Sequence, residues 1–339
     1  MSIAREPHRV RRMLVVLLAG APVVALVGCA QQAGVSAPSQ HQAVETYVRG
    51  VYAYQTGKKD DAIRELQDAI KANPQLIMPR ILLGGLQKDR NDYAAAAEQY
   101  EALVRLDPYF AGHNYNLGVS YQMLQRLRDA EKSYQAAIKL DPKNFGAHMN
   151  LGLVYLALGD ADKAVKYTDI AAKMNPTSAE AFANLAAALD ARGDYVLAEA
   201  AYHKSLEAAP FQAGTLLNYA NNLLAQRKPR EAIAVLDQAM KIEETPYIHK
   251  RKGDALAMNN KLPEALAEYD IAMKKNPKYY AAMNECATVL IQQYKAGMEL
   301  DVPTRDRAIA LWQKSIGINP DQPGVKAALQ EWEKRMFSK

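Results

Sequence analysis

The 339 residues are 49% hydrophobic but only 8% aromatic, and they carry a formal net charge of +5. Alanine and leucine dominate, and β-branched runs are scarce outside the N-terminus, which favours helices over strands. Arg5, Arg9, Arg11 and Arg12 against Glu6 account for most of the positive balance; the rest mixes both signs and gives no basis for a nucleic-acid partner. Two cysteines, Cys29 and Cys286, do not make a disulfide framework.

In chain order, an arginine-rich stretch over residues 1–12 is followed by the apolar run Met13 to Val27, interrupted by Pro22, and then by Gly28 and Cys29. This is the pattern of a secretory leader over residues 1–28, and the run is too short for a membrane span. Leu26-Val27-Gly28-Cys29 resembles the lipobox of bacterial lipoproteins. The resemblance implies cleavage before Cys29, acylation of its thiol (palmitate chemistry) and a mature N-terminus held in a membrane. Two or three acyl chains anchor stably where one does not. Ala30 stands where an aspartate would retain the protein at the inner membrane, so the implied location is the periplasmic face of the outer membrane. Residues 29–42 are small and polar and are expected to form a flexible tether.

From residue 43 a 34-residue period takes over. Pro74, Pro108, Pro142, Pro176 and Pro210 keep it, as do Gly50, Gly84, Gly118, Gly152, Ala186 and Ala220. Ala62, Ala96, Ala130, Ala164, Ala198 and Ala232 form a second small series. Leu66, Tyr100, Tyr134, Tyr202 and Leu236 form a bulky one, with Thr168 its weak member. Each period holds two apolar-periodic stretches separated by a polar turn such as residues 158–162. The small series lets two helices approach closely, the bulky series fills the gap to the next copy, and proline stops the second helix.

In residues 111–144, Leu117, Gly118, Tyr121, Ala130, Tyr134, Ala137 and Pro142 resemble the signature of the tetratricopeptide repeat family. The early tryptophan of that signature is absent. The resemblance implies an all-α fold, an α-solenoid whose hairpins stack into a right-handed superhelix because one hairpin cannot bury its apolar face alone. Eight copies are expected: 43–76, 77–110, 111–144, 145–178, 179–212, 213–245, 246–279 and 280–320. The sixth is one residue short, with Glu244 where proline is expected; the eighth carries an insertion around Gln293–Pro303, expected as a longer first helix plus loop. Residues 321–339, with Trp332, are expected to form a capping helix.

In this family the first helix of each copy lines the inner face. Its sixth position reads Val48, Leu82, Asn116, Asn150, Asn184, Asn218, Arg251 and Glu285. Four successive carboxamides, each with a donor and an acceptor, match the peptide units of an extended chain. The series resembles the asparagine ladder of O-linked N-acetylglucosamine transferase, of which only the binding half is implied here. Tyr115, Met123, Met149 and Asn221 occupy neighbouring inward positions, and Lys250, Arg251 and Lys252 form the densest basic cluster outside the leader. Such a run is expected to be a solvated helix face, or a contact for an acidic partner or lipid headgroups.

No HExxH, GxSxG, phosphate loop or paired-cysteine site is present, and His113 and His148 have no third ligand in view. The sequence therefore leads to no enzyme and no cofactor. It leads to a lipid-anchored envelope scaffold that binds a protein or peptide partner in the groove. The alternative is a structural assembly factor for a pilus- or secretion-type machine, acting through convex or terminal surfaces.

Overall fold

The computed structural model describes residues 37–298 and 300–337. Among them are seventeen α-helices and no strand, and the chain divides after Arg126 into two compact units. Unit 1 holds α1 (Ala37–Gln55), α2 (Lys59–Ala72), α3 (Ile77–Asp89), α4 (Tyr93–Leu106) and α5 (Ala111–Met123). Unit 2 begins with α6 (Leu127–Leu140), α7 (Phe145–Ala157), α8 (Ala161–Met174), α9 (Ala179–Arg192), α10 (Tyr195–Ala208) and α11 (Ala213–Ala225). It continues with α12 (Pro229–Ile242), α13 (Pro246–Met258), α14 (Leu262–Lys275), α15 (Tyr280–Ala296), α16 (Val302–Ile318) and α17 (Pro323–Phe337). Odd-numbered helices up to α15 are the first helices of the copies and even-numbered ones the second. Within each unit a helix packs on its chain neighbours. The fold is an all-α solenoid.

The turn inside each copy is stereotyped. Gly57, Asn91, Gln125, Gly159, Gly193, Arg227 and Asn260 all take left-handed backbone, with φ between +58° and +89°. The next residue's N–H returns to a carbonyl five residues back, as in Asp160 to Tyr155 at 2.9 Å and Lys228 to Leu223 at 2.8 Å. This closes the end of the first helix in a Schellman-type cap. The following helix starts at once, often with a side chain capping its N-terminus: Asp92 and Asp160 each accept the backbone N–H three residues on. Asn144, Ser178 and Thr245 do the same for first helices. Each such cap contributes about 1 kcal/mol.

The periodic series are the core. Ala62, Ala96, Ala130, Ala164, Ala198 and Ala232 are completely buried, and Ala265 and Ala308 extend the series. The bulky position is buried in every copy, continuing through Tyr269 and Trp312. Its partner is the small residue on the first helix. A Cβ added at Gly253 would lie 2.5 Å from Cε1 of Tyr269, so only hydrogen fits there. Thr168 is small because its copy is closed more tightly: a Cβ at Gly152 would lie 2.5 Å from Thr168 Cγ2 and 3.2 Å from its backbone nitrogen.

Two boundaries differ from expectation. The segment expected as tether is helical from Ala37, so α1 overlaps it by six residues. Proline is tolerated in a first helical turn, a His41–Glu45 pair at 3.2 Å spans i to i+4, and Ala43 and Thr46 bury against the core; polar composition alone concealed this. In the eighth copy α15 and α16 are both seventeen residues long, so the insertion lengthens the second helix as well as the first. The terminal helix α17 lays Trp332 edge-on against Tyr294, ring centroids 5.8 Å apart, and joins an apolar cluster with Trp312 and Cys286. Burial pushes the Cys286 thiol up to about 12, which suits a small apolar filler rather than a nucleophile. No described helix is long and apolar enough to cross a membrane; the apolar run of residues 13–27 and Cys29 lie outside the described residues.

Candidate functional site

In unit 2 the first helices α7, α9, α11, α13 and α15 touch one another in succession and form one layer, the second helices the other. The sixth-position residues of these helices differ in their surroundings. Asn150 is half-buried and its Nδ2 donates to the Tyr134 hydroxyl at 3.3 Å. Asn184 is half-buried with Nδ2 lacking any hydrogen-bond partner. Asn218 is exposed, and on the same helix Asn221 is half-buried with Oδ1 unpartnered. Met149 is half-buried on α7. Asn116 belongs to unit 1, where its Oδ1 accepts from Lys88 Nζ at 2.5 Å and its Nδ2 donates to the Gly112 carbonyl at 2.9 Å. The sequence ladder thus resolves into two carboxamides tied to their own protein and an adjacent group on α9 and α11 with unused capacity.

The basic cluster is neither a free patch nor a solvated face. Lys250 and Arg251 both reach Asp254, at 2.8 and 3.2 Å, and Lys252 bridges Asp237 on α12 and Glu268 on α14 at 2.9 and 2.8 Å. Burial works against the Lys252 ammonium, yet its bonds to Glu268 and Asp237 outweigh that and hold its pKa above the ordinary lysine value. Arg251 follows the same pattern: burial opposes its charge, while Tyr247 and Asp254 raise its pKa. These cations are matched by carboxylates on their own and flanking helices, which leaves little net field for an acidic partner.

Unit 1 has a feature that sequence reasoning missed. Its open first-helix side is apolar: Val48 and Tyr52 are 57% and 67% exposed, and Met78, Ile81 and Met123 are exposed beside half-buried Leu82 and Tyr115. The signal was present, since Val48 and Leu82 hold the sixth position where later copies have asparagine. Lys88 sits at the edge of this surface. Burial lowers its pKa, partly offset by Asp89.

The histidines serve the framework. His148 Nε2 pairs with the Pro142 carbonyl at 3.0 Å, His113 lies 3.6 Å from Asp107, and buried His249 sits between Glu244 and Glu268. Among the described residues no three of His, Cys, Asp or Glu are placed to hold a metal ion.

This geometry accords with the comparison to known proteins. The family model described as tetratricopeptide repeat matches residues 47–109, 81–127, 115–173, 152–213 and 217–293. The chain belongs to the tetratricopeptide repeat family. Among solved structures it is similar to the C-terminal part of a tetratricopeptide repeat-containing protein from Cytophaga hutchinsonii. There the TM-score is 0.58 at 14% identity, covering 73% of this chain and 98% of that one. A tetratricopeptide repeat protein from Parabacteroides merdae gives 0.56 at 17% identity, covering 74% and 99%. At such identities the likeness is one of fold. Tetratricopeptide repeat proteins mediate protein–protein contacts, and the first-helix layer is where this chain leaves polar groups unspent.

Proposed function

We propose that this chain is a non-catalytic scaffold that holds an extended segment of another protein against its first-helix layer, with copies five and six as the principal contact. The observation that carries the reading is the group of Asn184, Asn218 and Asn221. Native proteins leave few buried polar atoms unpaired, and an unpaired one calls for an explanation. Here two occur on adjacent first helices, at Asn184 and Asn221, beside the exposed carboxamide of Asn218. The backbone of a bound chain supplies the N–H and C=O groups these side chains lack, with little regard to its own side chains. The apolar face of unit 1 would add side-chain selectivity.

The triple variant N184A/N218A/N221A tests this. Each amide hydrogen bond contributes about 0.5–1.5 kcal/mol, so capture of the partner should weaken roughly tenfold or more, with the far-ultraviolet circular dichroism unchanged. The partner is first trapped by a photo-crosslinker placed at position 218 in intact cells, and its binding segment is then titrated as a peptide. Equal affinity of the triple variant for that segment sinks the reading.

The reading extends to location. Leu26-Val27-Gly28-Cys29 after an arginine-led apolar run supports acylation at Cys29 and attachment to the periplasmic face of a bacterial outer membrane. Cys29→Ser should move the protein from the membrane to the soluble periplasmic fraction. Continued sedimentation of this variant with membranes after a high-salt wash counts against the anchor.

A further inference from the structure

Successive copies of this chain are bridged on the second-helix side by a repeated device. In unit 1, Tyr121 on α5 donates to Glu101 on α4 at 2.6 Å. In unit 2, Tyr155 on α7 donates to Glu131 on α6 at 2.9 Å and accepts from Gln135 at 2.8 Å. Tyr219 on α11 reaches Glu199 at 3.3 Å and His203 at 2.9 Å on α10. On α13 the bridge is Lys252, between Asp237 and Glu268. In each case a polar residue of a first helix is bonded to the second helix of the preceding copy; Tyr121 and Tyr155 share one position of the period, whereas Tyr219 and Lys252 stand four residues earlier in it.

At the junction of copies four and five both halves of the device are replaced. Leu189 stands 34 residues after Tyr155 and Leu185 stands 34 residues before Tyr219, so neither bridging position is polar here, and Val165 stands 34 residues after Glu131 and 34 before Glu199. Asp169, in the register of Gln135 and His203, is occupied by Lys173 at 2.6 Å. The cleft is left open as a pocket of about 300 Å³ walled by Val165, Phe182, Leu185, Leu189 and Leu197, with the Lys173-paired Asp169 also on its wall. Its lip is apolar too: Val196 and Leu197, at the start of α10, are 71% and 58% exposed. Lys204 also borders the pocket, its ammonium 5.3 Å from the centroid of the Phe182 ring and in no ion pair among the described residues. Arg192, also at the rim, is by contrast paired with Asp194 and Asp162.

We infer that this cleft between α8 and α10 is a second docking site, which takes a partner segment inserting one leucine or phenylalanine side chain and setting an adjacent carboxylate against Lys204. The apolar walls favour a bulky anchor, burying a side chain worth about 1.5–3 kcal/mol of hydrophobic transfer. The one unmatched cation selects the sign of the flanking charge. The volume is at the lower end for ligand pockets, and the exposed Val196–Leu197 lip extends the apolar surface beyond it, as suits a polypeptide passing over the cleft. The site is built from α8, α9 and α10, and none of the asparagines lines it.

The test uses the full-length protein and two labelled twelve-residue synthetic peptides, each with a central leucine-phenylalanine pair, one flanked by glutamates and the other by lysines. Fluorescence polarisation should show saturable binding of the acidic peptide and at least about fivefold weaker binding of the basic one, the scale of one exposed charge pair. The surface variant K204E should reverse that order. The double variant V165E/L189Y rebuilds the Tyr155–Glu131 pair found at the preceding junction, and should abolish binding while keeping the helical circular dichroism. The inference is overturned if the acidic peptide does not saturate, if K204E leaves the order unchanged, or if V165E/L189Y binds as the parent does. Saturable binding of oleate in place of either peptide would assign the pocket to a lipid and overturn it as well.

Discussion

Replacing Tyr202 by alanine should destabilise unit 2 by about 3–5 kcal/mol, while Tyr202→Phe should cost only about 1 kcal/mol near pH 4 and more at pH 7. Tyr202 is 1% exposed, stacks obliquely on Tyr219 with ring centroids 5.7 Å apart, and donates its hydroxyl proton to Asp190 at 2.7 Å. Alanine removes the ring from a site where the second helix of copy five meets the first helices of copies five and six, and rigid backbones on both sides limit collapse into the cavity. Phenylalanine keeps the volume and removes one donor. That donor matters through Asp190, whose carboxyl pKa burial raises, with Tyr202 and Asn222 pulling it back. A raised folded pKa means that Asp190's contribution to stability is fully present below its unfolded value. It is lost as pH rises through the folded value. Without the Tyr202 hydroxyl the folded pKa climbs further, so the penalty of Tyr202→Phe grows with pH. Urea titrations of parent and both variants at pH 4 and pH 7 check this. A Tyr202→Phe penalty that is flat or shrinks with pH contradicts the assignment.

How much of this was legible in the residues depends on whether a contact lies within the period or across it. The alanine and tyrosine series gave the hairpins because each position meets the same neighbours in every copy, and one substitution cannot hide a pattern repeated so often. The turn series escaped notice for the opposite reason. Gly57, Asn91, Gln125 and Arg227 share one backbone conformation, but arginine and glutamine at positive φ are costly residues tolerated by the surrounding cap, so no residue type marks the position. Lys252 looks like part of a basic patch because its neutralising carboxylates, Asp237 and Glu268, lie 15 and 16 residues away on flanking helices, while Lys250 and Arg251 share Asp254 on their own helix. The asparagine ladder was visible as a series, whereas the inequality of its members was not. Asn116 is engaged by Lys88, which belongs to the preceding copy, and only a structure shows that a 28-residue separation brings them together. The open cleft at copies four and five is encoded plainly, in Val165 and Leu189, but only when both are read against the pairs at neighbouring junctions.

Gly253→Ala should destabilise the protein by about 1–3 kcal/mol, the usual cost of overpacking, although alanine is the better helix former by nearly 1 kcal/mol. The added methyl would sit 2.5, 2.8 and 2.9 Å from three carbons of the Tyr269 ring. That ring cannot swing away cheaply. It is 1% exposed, its hydroxyl donates to Asp254 at 3.0 Å, and the same carboxylate receives Lys250 and Arg251. Copy five carries alanine (Ala186) opposite Tyr202, so a hairpin can be built around such a pair, and the cost in copy seven is that of shifting α13 against α14. Copy six carries Ala220 opposite Leu236. The double variant G253A/Y269L imports that pairing and should therefore be less destabilised than the sum of its two single changes, with a coupling of about 1 kcal/mol or more. Thermal and urea unfolding of the four proteins in the cycle measures it. Strict additivity would mean that glycine is kept at position 253 for some reason other than the Tyr269 ring.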